Sequence, residues 1–169
     1  MKKITILSSL VGVLLFSGCS VGDLFIDQVA VHNSLVDTMD AVLRAEENFY
    51  DEYWALEDNA DTTAFEAAFS EFETAVGELD TFFMETKFAS GQMVFKEDYE
   101  ANYKPFIDDY VEYAKEFTDA VATSGYTYES MEPYFEELDE FTVDFVDVHN
   151  TLIGTINTQS DYATSGQSY

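Results

Sequence analysis

Residues 24–56 read LFIDQVAVHNSLVDTMDAVLRAEENFYDEYWAL, a run with neither proline nor glycine. Within it Phe25, Val29, His32, Val36, Met39, Leu43, Glu46, Tyr50 and Tyr53 recur at alternating intervals of four and three. That interval is the repeat of one face of an α-helix, so the stretch predicts a long amphipathic helix with this seam turned to a core. The helix should run to about Leu56, and Glu57-Asp58-Asn59-Ala60-Asp61-Thr62 reads as the turn that follows.

The same spacing returns three times downstream. Thr63-Ala64-Phe65-Glu66 reads as a capping box opening a second helix, whose seam is Phe65, Phe69, Phe72, Val76, Leu79 and Phe83 and which Ala89-Ser90-Gly91 should close. A third helix carries Phe95, Tyr99, Tyr103, Phe106, Tyr110, Tyr113, Phe117 and Val121 and ends at Ser124-Gly125. Pro105 lies inside it and should kink or split it near Tyr103, because proline lacks an N–H and its ring collides with the preceding turn. A fourth helix should begin between Tyr128 and Pro133, with Phe135, Leu138, Phe141 or Thr142, Phe145, His149, Leu152 and Ile156 on its seam. From Thr158 the chain is polar and reads as a flexible tail over 158–169. Four amphipathic segments with short connections predict an all-α, up-down-up-down four-helix bundle over 24–157. Its many seam aromatics are read as core filling.

Charge narrows the partners. The chain has 34 acidic residues against 7 basic ones, for a net charge of −27 with both histidines neutral. Nucleic acid is excluded as a partner, since binding phosphates requires Lys and Arg to displace counterions. An anionic lipid surface would repel the domain too. What such a surface invites is cations or a basic protein partner.

The first residues have a separate logic. Met1-Lys2-Lys3 is a short basic segment, Ile4 to Phe16 is apolar but too short to span a bilayer, and Phe16-Ser17-Gly18-Cys19 follows. Small residues before a cysteine resemble a lipobox, the mark of a bacterial lipoprotein signal. Phe16 stands where most lipoboxes carry Leu or another aliphatic residue. The resemblance covers about twenty residues. It implies cleavage before Cys19, a diacylglyceryl chain on its thiol, residues 19–23 as a tether, and a product held at the cell envelope by lipid. With Ser20 rather than Asp after the cysteine, it also implies outer-membrane delivery in a host with two membranes. Losing Lys2 and Lys3 would leave five basic residues and a net charge of −29. The mature bundle resembles many small helical lipoproteins, a likeness too generic to lend a function.

Inside the bundle the sequence echoes itself. Residues 27–39 and 144–156 both read Asp-x-Val-x-Val-His-Asn-Ser/Thr-Leu-Val/Ile-x-Thr-Met/Ile, and they contain the only two histidines. If the first and fourth helices are antiparallel neighbours, His32 and His149 fall roughly 12 and 13 Å from one end of the bundle and should face each other. Val29 would then lie beside Leu152, Val36 beside Phe145 and Leu43 beside Leu138. Facing imidazoles suit zinc, copper or nickel, so the alternative function is a metal- or small-ligand-binding bundle using His32 and His149. Neither motif supplies a carboxylate at i+3 or i+4, however, so further ligands would have to come from Asp80, Glu85 or Asp98. The plainer expectation is that His32, Asn33, His149 and Asn150 form a hydrogen-bonded network that sets helix register.

No Gly-rich phosphate loop, His-Glu-x-x-His or Cys-x-x-Cys occurs, and the expectation is a non-enzymatic module that needs no cofactor. A short tether from Cys19 would put the histidine end near the membrane. The far end, with Glu57, Asp58, Asp61, Tyr126 and Tyr128, is then the candidate surface for a basic or envelope protein partner.

Overall fold

A computed structural model describes residues 26–57 and 61–165, with side chains described through Thr158. Cys19 and Asp58 therefore lie outside the described residues. The chain folds as an all-α four-helix bundle. Helix α1 spans Gln28–Ala55, α2 Thr63–Glu85, α3 Met93–Asp98, α4 Lys104–Ser124 and α5 Tyr128–Ser165. A π turn at Tyr99–Tyr103 joins α3 to α4, so these three pieces make one rod.

The ends of the helices follow local chemistry. The Asp27 carboxylate accepts from the Ala30 N–H at 3.0 Å and caps α1. At α2 the cap sits earlier than the Thr63 box predicts. Thr63 is already helical, and the Asp61 carboxylate accepts from its N–H at 3.0 Å and its hydroxyl at 2.6 Å, while the Thr62 hydroxyl donates to Glu66. A carboxylate beside a free N–H competes better for the cap than a neutral hydroxyl does. Those two bonds also hold the Asp61 carboxyl below its usual range. Gly125, at φ +72°, ends α4, a conformation that costs a side-chain-bearing residue. Thr127 and Ser130 then cap α5 reciprocally, each hydroxyl accepting from the other's N–H at 3.2 and 3.3 Å.

Two boundaries differ from the sequence reading. Helix α2 stops at Glu85 rather than near Ala89, because Phe88 turns inward and stacks on Phe83 with centroids 5.6 Å apart, plugging one end of the core. Helix α5 continues through 158 to Ser165, since neither proline nor glycine intervenes between 158 and Gly166.

Ring contacts give the packing order. Phe65 meets Phe117, Phe72 meets Tyr110 and Phe83 meets Tyr99, so positions rising along α2 meet positions falling along the third rod. Tyr103 meets His149, Tyr110 meets Phe145 and Phe117 meets Tyr134 in the same sense between that rod and α5. Phe49 of α1 sits among Phe65, Phe69 and Phe72 at 5.2–6.0 Å. The predicted seams of α2 and α5 are the buried faces. On α1 the face turns by one position: Leu35, Val42 and Phe49 are fully buried, whereas Val36, Leu43 and Tyr50 pack at its edge. A stripe with hydrophobic residues on both sides of the seam leaves such a rotation to the neighbouring helices.

Candidate functional site

Pro105 shapes the first polar cluster. Its missing N–H and its ring are incompatible with an ordinary α turn against residue 101. The chain answers with the π turn, in which the Lys104 N–H reaches back five residues to the Tyr99 carbonyl. The interruption expected near Tyr103 takes this form. The extra residue lets Tyr99 and Tyr103 both face inward, their rings 5.7 Å apart. Tyr103 Oη lies 3.2 Å from His149 Nδ1 on α5. His149 is 3% exposed, and burial pulls its pKa down to about 4, so the ring is neutral at pH 7, and its tautomer sets which of Nδ1 and the phenol oxygen carries the shared hydrogen. Beside this pair, Asp98, Asn102, Asp147 and Thr151 line a cleft of about 170 Å³, below the usual size of a ligand pocket, roughly 300 Å³ upward.

Two helical turns along α4, Tyr110 builds the second cluster. Its Oη lies 2.9 Å from Glu46 Oε1 on α1 and 2.9 Å from Thr142 Oγ1 on α5. Thr142 Oγ1 in turn lies 3.1 Å from the Leu138 carbonyl. Tyr110 donates to the Glu46 carboxylate, and the Thr142 hydroxyl, whose second partner is the Leu138 carbonyl, sits against the same phenol oxygen. Glu46 is 3% exposed, and burial, reinforced by the nearby Glu47 and Asp51 charges, pushes its pKa up to about 7 against the opposing Tyr110 bond.

These contacts correct the expected pairing of the histidines. Tyr110 brings Glu46 level with Thr142, and Tyr53 lies 6.0 Å from Phe135, so α1 and α5 meet about seven residues away from the register that would oppose His32 to His149. By that register His149 is level with Met39 and His32 with Ile156, an offset of about two turns or ~10 Å. His32 is buried, its Nδ1 has no hydrogen-bond partner, and burial lowers its pKa. Asn33 and Asn150 are exposed and take no part in a buried network. Adjacent residues on a helix diverge by about 100°, so a His and the Asn after it cannot share one seam. Nor do the acids considered as ligands converge on either ring. Asp80 bonds the Tyr99 hydroxyl and Lys104, and Asp98 bonds Asn102 and Thr155. Among the described residues no group of three or more His, Cys, Asp and Glu side chains is arranged to hold a metal ion.

The opposite end is built differently. Glu57 and Asp61 are exposed there, and Tyr128 is 61% exposed. Tyr126 is not available as a contact residue: it is 8% exposed and belongs to the core. Gly125 turns the chain so that the next residue folds back under α5. Trp54, passed over in the sequence because it stands off the seam, is 64% exposed. Its ring lies 6.0 Å from Tyr50 and 5.2 Å from Tyr53, and the row continues from Tyr53 to Phe135 and from Phe135 to Tyr128. Glu46 carried a signal too, as an acid on an apolar seam.

Compared with protein-family models, curated proteins and solved structures, the chain matches none.

Proposed function

We propose that the protein is a membrane-anchored, acidic envelope lipoprotein: a non-enzymatic binding module held by lipid on Cys19 and displaying its far end to a basic partner. The observation that carries the reading is the pair Trp54 and Tyr128, left exposed at the two ends of an aromatic row that runs through buried Tyr53 and partly buried Phe135, on a strongly anionic bundle. Large aromatics left in solvent, in a chain that buries most others, are characteristic of interface anchors. Helix α1 begins at Gln28, a few residues after Cys19, and its 28 residues extend ~42 Å. The aromatic row lies at its far end. Among the described residues no helix is long and apolar enough to cross a membrane. Several acyl chains anchor firmly where a single one is marginal.

The cysteine supplies the test. Wild-type protein should sediment with membranes, incorporate labelled palmitate, and have a mass equal to the chain from Cys19 plus acyl groups. Cys19→Ser should take no label and leave the membrane fraction. An intact leader, or trimming with no acyl mass, removes the reading.

A further inference from the structure

Tyr50, Tyr53 and Trp54 occupy one face of α1 at spacings of three and four, and their rings touch pairwise at steep angles, 88° between Tyr50 and Trp54 and 57° between Tyr53 and Trp54. Tyr53 lies 6.0 Å from Phe135 of α5, and Asp139 stands one turn further along that helix; burial first, and then the Asp139 charge, raise the phenol pKa of both Tyr50 and Tyr53. Its Oδ1 is buried yet has no hydrogen-bond donor. A buried carboxylate oxygen without a donor is costly, and folded proteins rarely retain one without a use.

Among the described residues no cation answers it. Helix α5 contains no Lys or Arg, and Arg44, the one such residue of α1, pairs with Asp40 further down the helix. The exposed Glu132, Glu136 and Glu140 add an acidic row at four-residue intervals beside Asp139. A carboxylate thus lies near the Tyr50 and Tyr53 phenols, in a field of one sign. Cationic heads are stabilised by both features at once, through charge pairing and through the electron-rich faces of aromatic rings.

We infer that the face formed by the C-terminal part of α1 and the N-terminal part of α5 seats the guanidinium or ammonium heads of a basic protein segment, with Asp139, Tyr50, Tyr53 and Trp54 as its receiving groups. This deepens the binding-module reading and rests on it.

Trp54 is the only tryptophan, so its fluorescence reports directly from the seat. The probe is nona-arginine peptide, titrated at physiological ionic strength into the lipid-anchored protein in detergent, with calorimetry for variants that lack the fluorophore. Wild type should show a saturable change in emission. Asp139→Asn and Trp54→Ala should each weaken binding at least about tenfold, while Glu73→Gln on α2 changes it less than twofold. Because Asp139→Asn removes an unpaired charge, that variant should also melt higher without peptide, which shows that it folds. Peptide should raise the melting temperature of wild type and not of Asp139→Asn. Binding that ignores Asp139 and Trp54 overturns the seat and leaves a diffusely acidic module. No binding overturns the seat and the basic-partner reading together. An equal Asp139-dependent response to spermine or magnesium alone assigns the face to free cations and overturns the peptide.

Discussion

Glu46→Gln separates the two buried titrating groups of the core. Glu46 has its pKa raised from 4.5 to about 7 by burial, and His149 has its own lowered from 6.5 to about 4 by the same cause. Each displacement, ~2.5 on the pH scale, corresponds to about 3 kcal/mol of pH-dependent stability. The signs oppose. A carboxyl raised on folding contributes fully below its unfolded pKa and loses that contribution as pH climbs from 4.5 through 7. A histidine lowered on folding contributes fully above 6.5 and loses it as pH falls through 4. Between about 4.5 and 6.5 the two slopes, each ~1.4 kcal/mol per pH unit, cancel in the wild type. The amide that replaces the carboxyl carries no charge, like the protonated acid, and its oxygen can still accept from Tyr110. The variant should therefore match wild type near pH 4.5 and exceed it by about 3 kcal/mol above pH 8. His149→Gln should diverge in the other sense, gaining on wild type as pH falls from 6.5 to 4. Urea unfolding at several pH values measures both, and taking the difference from wild type removes the background repulsion of the acidic surface. A difference that stays constant across this range would refute the burial-raised titration of Glu46.

Two further outcomes follow from the same geometry. Tyr103→Phe keeps the ring packed on His149 but strips the buried Nδ1 of its hydrogen-bond partner, and should cost about 1–3 kcal/mol in urea unfolding with an unchanged m-value. Gly125→Ala meets no atom within 4 Å, so its cost is backbone strain alone at φ +72° and ψ 157°: about 1–3 kcal/mol, a fall in melting temperature of several degrees, and no change in peptide binding.

Much of the architecture could be read from residue order. Periods of four and three depend only on the geometry of one helix, and they marked every rod and the seams of α2 and α5. The histidine pairing failed for a reason of scale. Slipping two helices by two turns keeps apolar residues opposite apolar residues, so the echo around His32 and His149 fits more than one register. The choice fell to Tyr110, whose single hydroxyl ties Glu46 to Thr142 from a third helix.

The sequence alone carried the anionic charge, the helical periods and the cysteine that follows a short apolar run, because each is a property of neighbouring residues or of their sum. The tertiary structure decided which polar groups meet. It gave Glu46 its partner in Tyr110, drew Tyr126 into the core, left Trp54 in solvent and left one Asp139 oxygen buried without a donor. Those outcomes depend on how one helix is rotated and slid against the next, and that freedom is resolved only when all four pack together.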